Sequence, residues 1–379
     1  MKACVITLHT VNNYGSVLQT YATSKILESL GVEVEIIDYW RKNNSPKALA
    51  ERKLNSKSLQ RIKYIWGINS ITEWVMIRLL ILIDALKRNR FQHFLKKRVH
   101  LSTERYESYS ALVYNAPQGD VFITGSDQVW NSTWNDGVDR AFFLDFAPKN
   151  KPKIAFSSSI GKTEFDEDEI DIIKPLLEQY KAISVREQSA VDLLKKIGIN
   201  STLVLDPTLL IERNEWKKIE DTSLVPTKSY VLLYQLHDCE NFDDYAQQVS
   251  NAYQCKIIRI GFSRIDKKRI GKCLYHVSVE QFLGLINHAS CVMTDSFHAT
   301  AFSLSFGVDF ISIIPKEFGT RIQSITNLTG TDHRVIKPDT KKEMIPLVAK
   351  QRIDKTKVEI ILDSKRKEAM DFLVKSLFQ

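Results

Sequence analysis

The sequence predicts an α/β protein of two doubly wound domains, the first carrying a basic helical insertion. Three observations lead there. A chain of 379 residues is long for one core and suits two domains. It opens on an apolar strand, a polar loop, a helical run and an alternating strand, the repeating unit of a doubly wound sheet. The same alternation starts afresh at Ser229. The domains are expected at 1–212 and 213–350, with 351–379 a helix that packs back on the N-terminal domain.

In the first domain, residues 3–8 form a strand, and His9 to Gly15 a polar loop holding Asn12, Asn13 and Tyr14. Ser16 opens a helix that ends at Gly31, and Val32 to Asp38 alternates as a strand. No G-x-G-x-x-G follows the first strand, so a dinucleotide site is not indicated. Residues 41–110 interrupt the alternation; helices and no strand are expected. They include Trp74 to Leu86, the most apolar run of the chain, too short for the roughly 20 residues that cross a bilayer. Strands resume at Val121–Thr124, within 153–161 ahead of a Ser/Gly-rich turn, at 182–186 and from Leu203 up to Pro207. Residues 208–228 read as a connector. The second domain brings a strand at 229–236, a helix at 241–252, a strand at 255–260 and a basic loop at 261–273 containing Lys267, Lys268 and Arg269. A helix at 278–287, a strand at 290–294, a helix at 297–306, a strand at 308–314 and a helix near 320–328 follow, and 353–377 is one amphipathic helix.

The net charge of +8 is uneven: residues 41–110 carry +11 and the remainder −3. One segment is therefore basic, and it suits a solvated face, an anionic membrane surface or a polyanionic substrate. Nucleic acid is the weaker partner, because the charge is not interleaved with aromatics on a recognisable fold. Five scattered cysteines without a C-x-x-C pair argue against a disulfide framework or a cysteine metal site, and no His/Asp cluster has ligand spacing. The first apolar run is short for a secretory signal, so cytoplasm is the expected compartment.

Chemistry concentrates around Val292 to Gly307, a buried strand end, a polar turn and a helix. Thr294-Asp295-Ser296 can cap that helix, with Asp295 the favoured cap, which puts His298 in its first turn, where backbone N–H groups and the helix dipole favour an anion. With an ordinary pKa near 6.5, His298 is the best candidate for proton transfer; Asp295 and Asp127 are the next carboxylates. Asp127 and Gln128 end a strand facing the expected cleft, and Trp130 and Trp134 follow as aromatics that stack on sugars or simply pack. Asn13 and Gly15 lie on the first β–α loop. His237, His276 and His288 are isolated and read as structural.

Five strings occur in order: Asn13-Tyr-Gly-Ser-Val-Leu-Gln-Thr-Tyr-Ala22, Phe122-Ile-Thr-Gly-Ser-Asp-Gln-Val-Trp-Asn131, Ser184-Val-Arg-Glu187, Leu205-Asp-Pro207 and Thr294-Asp-Ser-Phe-His-Ala299. Together they resemble the polysaccharide pyruvyl transferase family. The resemblance implies a glycosyltransferase-B-like pair of Rossmann-like domains facing a cleft. It implies transfer of pyruvate from phosphoenolpyruvate to a sugar of a cell-surface polysaccharide or its lipid-linked precursor, as a ketal, with no metal or other cofactor. Arg186 and His298 match the family's donor residues, with Ser296 and Phe297 beside them; Asn13, Gly15, Gln128 and Trp130, from their place on strand-end loops, are the acceptor candidates. Ser296 stands where the family carries a second arginine; either Arg321 or Arg334 supplies that charge, or the donor differs. Two other readings are open: a glycosyltransferase using a nucleotide-sugar, and a non-catalytic module that docks on membrane or polyanion through residues 41–110. A lipid-linked acceptor would place the protein at the inner face of the cell membrane.

Overall fold

The computed structural model describes residues 1–41, 45–55, 70–262, 266, 268–315 and 319–379. Parts of the basic insertion (42–44 and 56–69) and Lys267 of the 261–273 loop therefore lie outside the described residues.

The N-terminal sheet is built from β1 (Lys2–Ile6), β2 (Glu33–Tyr39), β3 (Leu101–Tyr106), β4 (Val121–Thr124), β5 (Lys153–Ser158), β6 (Ala182–Val185) and β7 (Thr202–Leu203). Its spatial order is β3-β2-β1-β4-β5-β6-β7, every pair parallel. The inner strands read as continuous apolar runs because both faces are covered; Val121, Phe122 and Ile123 are all buried. β1 lies between β2 and β4, with Cys4 level with Glu35 on one side and Phe122 on the other. The strand order reverses between β1 and β4, so a crevice opens over their carboxyl ends.

Helices cover the sheet: α1 (Tyr14–Ser29), α2 (Pro46–Leu54), α3 (Ser70–Arg98), α4 (Tyr109–Tyr114), α5 (Ser132–Asn135), α6 (Glu167–Leu177), α7 (Gln188–Lys196), α8 (Pro207–Leu210) and α9 (Arg213–Lys217). Helices were expected throughout 41–110, yet that region ends in the strand β3. Leu-Ser-Thr-Glu-Arg-Tyr carries too few apolar residues to read as a buried strand. It forms at the sheet edge, where one neighbour suffices and the Ser102 hydroxyl accepts from the Asp38 N–H at 2.9 Å.

The C-terminal sheet repeats the topology with β8 (Tyr230–Tyr234), β9 (Lys256–Ile260), β10 (Lys272–Leu274), β11 (Cys291–Thr294), β12 (Phe310–Ile313) and β13 (Val335–Ile336). Its order is β10-β9-β8-β11-β12-β13, again all parallel, with the reversal between β8 and β11. Its helices are α10 (Phe242–Tyr253), α11 (Val279–Asn287), α12 (Phe297–Phe306), α13 (Thr320–Thr329), α14 (Ile345–Lys350) and α15 (Lys355–Phe378). α15 starts on an Asp354 cap and straddles both halves: it packs on α13, and Arg366 Nε donates to the Leu209 carbonyl at 2.9 Å.

Tyr14, the first residue of α1, pins the halves together. Its ring stacks on Phe282 of α11 with centroids 4.3 Å apart and meets Tyr234 edge-on, while its hydroxyl donates to the Val277 carbonyl at 2.7 Å. Trp216 does the same lower down, packing between Tyr21 and Phe302. One continuous apolar core thus runs from β1 through α1 and α12 to β8. Such aromatic pairs add about 1 kcal/mol each beyond their buried area.

Candidate functional site

Asn13 caps α1, its side-chain oxygen accepting from the Gly15 N–H at 2.8 Å. Ser296 caps α12 by accepting from Ala299 N–H, which fixes His298 as the second helical residue. The two caps bring the two helix starts together. A methyl group placed on Gly15 would lie 1.9 Å from His298 Nδ1, so only a glycine lets α1 approach the imidazole. Two positive helix ends therefore converge on one buried histidine.

Arg186, on the turn after β6, reaches the same point. Its guanidinium donates to Asp206 at 2.5 Å and to Asp127 at 3.1 Å, and lies 3.8 Å from Glu187. Asp206 caps α8 through the Thr208 N–H and stands 3.9 Å from His298 Nε2. Asp127 adopts a left-handed backbone (φ 71°), a conformation that aspartate tolerates better than most residues. Ser16 of α1 donates to its other oxygen at 2.5 Å. Glu187 is held by the Ser159 hydroxyl and the backbone N–H groups of Ile160 and Gly161. The ring of Phe297 lies 4.7 Å beneath the Arg186 guanidinium and 6.0 Å from that of Arg321.

Electrostatics follow from this packing. Burial works to raise the Asp127 carboxyl, but Arg186, then His298 and Ser16, outweigh it and hold it well below the usual carboxylate range. Asp206 is lowered in the same way, against burial, by Arg186 and His298. Burial pushes His298 down to about 4; Asp206 opposes, and Arg186 adds to the fall. The imidazole is therefore neutral near pH 7, and its buried Nε2 has no hydrogen-bond partner. Arg321 is pushed down to about 10 by burial and by Arg186, and its buried Nε has no hydrogen-bond partner. Arg186 stays charged: burial opposes its charge, but Asp206, Asp127 and Glu187 raise it. Three carboxylates, two guanidiniums and a neutral imidazole are left facing one another. A void of about 10 Å³ lies to one side of the cluster, between Arg186, Asp206, Leu209, Phe297 and Ile325.

Of the two arginines offered in place of the residue at Ser296, the structure brings Arg321 to this cluster and not Arg334. Arg334 is a correction. It is fully buried and donates to the carbonyls of Phe310, Val348 and Gln351 and to the Tyr253 hydroxyl, so it ties β12 to α14 and binds no donor.

Asp295 is a second correction. It does not cap α12. It accepts from the backbone N–H groups of Leu236 and His237 at 2.7 and 2.6 Å and pairs with the His237 ring at 3.1 Å. It thereby closes the C-terminal switch point, and His237, read as isolated, is its half-exposed partner.

Trp130 is a third. It is buried, stacked on Phe143, and donates its indole N–H to the Phe142 carbonyl at 3.0 Å, so it belongs to the core and offers no face to a sugar. Trp134 is 52% exposed. Gln128 accepts from Asn131 at 2.8 Å beside Gly161, at the rim of the cluster.

Sequence reasoning named Arg186, Asp127 and His298, and Glu187 or another acid as a salt-bridge partner for Arg186, but gave Ser16 and Asp206 no role at the site. Asp206 lies in the Leu-Asp-Pro string; only the adjacency of β6 and β7 shows that it faces Arg186. Among the described residues, no group of three or more His, Cys, Asp or Glu could hold a metal ion.

A family model described as polysaccharide pyruvyl transferase matches residues 13–317. No curated protein matches the sequence. Among solved structures, the chain is similar to S. aureus MnaA in complex with UDP, at 11% identity and TM-score 0.52, covering 99% of this chain and 96% of that one. A Listeria monocytogenes protein assigned as a UDP-N-acetylglucosamine 2-epimerase is similar at 10% identity and TM-score 0.51, covering 99% and 91%. At these identities the likeness is one of fold: two Rossmann-like domains facing a cleft, the glycosyltransferase-B-like arrangement.

Proposed function

The chain belongs to the polysaccharide pyruvyl transferase family, and on that premise we propose that it moves pyruvate from phosphoenolpyruvate onto a sugar of a cell-surface polysaccharide or its lipid-linked precursor. The product is a pyruvyl ketal. One observation carries the reading: Arg186, Arg321 and His298, from separate segments of both domains, converge where two helix starts meet.

Phosphoenolpyruvate is small and carries a carboxylate and a phosphate. Guanidinium forks and helix starts suit both groups. Arg186 is already balanced by Asp206, Asp127 and Glu187, so the added attraction comes from Arg321 and the two helix starts. Asp127, Arg186, Asp206 and His298 are all buried, so on this reading donor entry goes with a parting of the domains.

The chemistry then needs one base and one acid. A sugar hydroxyl adds to the central carbon of the donor, and the methylene carbon takes a proton. Phosphate leaves as a second hydroxyl of the same sugar closes the ketal, and that hydroxyl's proton departs with the phosphate. Neutral His298, with its open Nε2, accepts the proton of the first hydroxyl and returns it to the methylene carbon. Asp206, 3.9 Å away, stabilises the imidazolium formed in between. Asn13, Gly15 and Gln128 border the acceptor side. A lipid-linked acceptor puts the work at the inner face of the cell membrane.

The test is phosphate release from phosphoenolpyruvate against a panel of lipid-linked saccharides. His298→Asn and Arg321→Met are expected to abolish it while leaving the fold intact. Phosphoenolpyruvate at 100 times its Kd adds about 2.7 kcal/mol to stability, visible as a raised melting temperature. A rise with nucleotide-sugars and none with phosphoenolpyruvate overturns the donor in favour of glycosyl transfer.

A further inference from the structure

Helix α3 changes partners halfway along. Its second half is core: Phe91, Phe94 and Leu95 are buried. Its first half overhangs. Trp74, Val75, Leu79, Leu82 and Ile83 are 59, 42, 54, 60 and 46% exposed. At 100° per residue these five fall on one half of the helix surface. The one cation on that face, Arg78, lays its guanidinium 5.0 Å over the Trp74 ring. Single exposed leucines are ordinary; a contiguous stripe of this size marks a surface that meets something.

The inner face of the same stretch is fastened to the site. Buried Asp84 pairs with Arg88 at 2.7 Å and accepts from Asn12 at 3.1 Å, and Arg88 donates to the Thr10 carbonyl at 3.3 Å. The loop so held leads directly into Asn13 and the start of α1. A 240 Å³ cavity lies between helix and loop, lined by Thr10, Asn12, Leu49, Lys53, Asp84 and Arg88 among others, and the buried Asn12 Oδ1 has no hydrogen-bond partner.

We propose that the Trp74–Ile83 face of α3 docks on an anionic lipid bilayer and presents the loop at residues 10–13 to an acceptor held in that membrane. The occupant follows from charge. Residues 41–110 carry +11, and Lys47, Arg52 and Lys53 of the adjoining α2 are exposed. A second copy laid face to face would set these cations and Arg78 against their own kind; an anionic headgroup layer attracts them. The stripe is about 14 Å long at 1.5 Å per residue, enough to lie within the interface and far too little to cross it. Among the described residues no helix is long and apolar enough to cross a membrane. The proposal rests on the pyruvyl-transfer reading only for the identity of the acceptor.

The experiment sediments the full chain with phosphatidylcholine vesicles, with or without about one quarter phosphatidylglycerol, over rising salt. Pelleting with the anionic vesicles that fades with salt is expected. The double variant Leu79→Glu, Leu82→Glu is expected to lose at least about tenfold in binding, with an unchanged melting temperature because both side chains are exposed. Trp74→Ala is expected to weaken binding by a smaller factor. Three results overturn the proposal: no pelleting, equal pelleting with neutral vesicles, or a dimer by light scattering that the double variant converts to monomer. Phosphoenolpyruvate binding is read separately by melting temperature. Its failure with vesicle binding intact removes the donor, not the docking surface.

Discussion

The two domains repeat one strand order, yet their switch points are furnished differently. Over β1 and β4, Asp127 binds the Arg186 and Ser16 side chains, and almost nothing polar is left exposed. Over β8 and β11, Asp295 binds backbone N–H groups and leaves His237 half in solvent. The first arrangement stores charge in a closed space; the second sets the shape of a loop. His298 sits on the second domain but takes its environment from the first, through Asp206 and Gly15. The contrast teaches that the site belongs to the seam between the domains more than to either sheet.

The harshest way to break this contrast is Arg186→Met. Removing the cation leaves Asp127, Glu187 and Asp206 buried without it. Breaking a buried pair from one side costs about 3–5 kcal/mol. Urea unfolding should show that loss, and the partner variant Asp206→Asn should show less, because Arg186 keeps Asp127 and Glu187. Equal, small losses in both would mean that the closed cluster contributes little to stability.

The second way uses pH. His298 has a folded pKa of about 4 against an ordinary 6.5. Between those values the unfolded chain takes up a proton that the folded chain refuses. Stability therefore falls as pH drops from about 6.5 towards 4, by roughly 3 kcal/mol from this group alone, and levels off below. The lowered Asp127 and Asp206 act at more acid pH: their contribution is present above the ordinary carboxylate range and is lost as pH falls through their folded values. Unfolding at pH 5 and 7 should show the first slope in the native chain and its absence in His298→Asn.

A third, smaller effect separates helix approach from charge. Gly15→Ala places a methyl group against His298 Nδ1. Overpacking of this kind costs about 1–3 kcal/mol. A lower melting temperature and a larger loss of phosphate release than of stability are expected, since the imidazole must move aside.

Much of this was legible beforehand, for reasons specific to each residue. The start of α12 was marked by Thr-Asp-Ser-Phe-His, where capping side chains and an apolar period coincide; that of α1 was expected at Ser16, two residues late, because Asn13-Tyr-Gly reads as loop until its cap is seen. The insertion showed itself through charge, a signal that survives without knowing any contact. The short edge strands β3, β10 and β13 did not show, because a strand paired on one side needs no continuous apolar run. Nor did the difference between Arg321 and Arg334. Both lie among ordinary helical and polar residues; one ends beside Phe297 and the other on three carbonyls, and only the packing of α13 against α12 and of α14 behind β12 decides which. Trp130 misled because a Trp after a strand turn reads alike whether it faces a sugar or Phe143.

The finest probe of the seam is Tyr14→Phe. The ring keeps its stack on Phe282 and its edge contact with Tyr234, so apolar burial is unchanged. Only the hydroxyl's bond to the Val277 carbonyl, 2.7 Å long and buried, is lost. That carbonyl keeps a second donor, Arg90, at 3.1 Å. The expected cost is therefore about 1 kcal/mol, the ordinary net value of such a bond, without the added penalty of an orphaned acceptor. Because Tyr14 and Val277 come from opposite domains, the loss favours the parted state proposed for donor entry. A melting temperature lowered by a few degrees, together with unchanged or faster donor binding in stopped flow, is the expected pair of results. Lower stability with slower donor entry would show instead that Tyr14 holds the start of α1 in the geometry the donor needs.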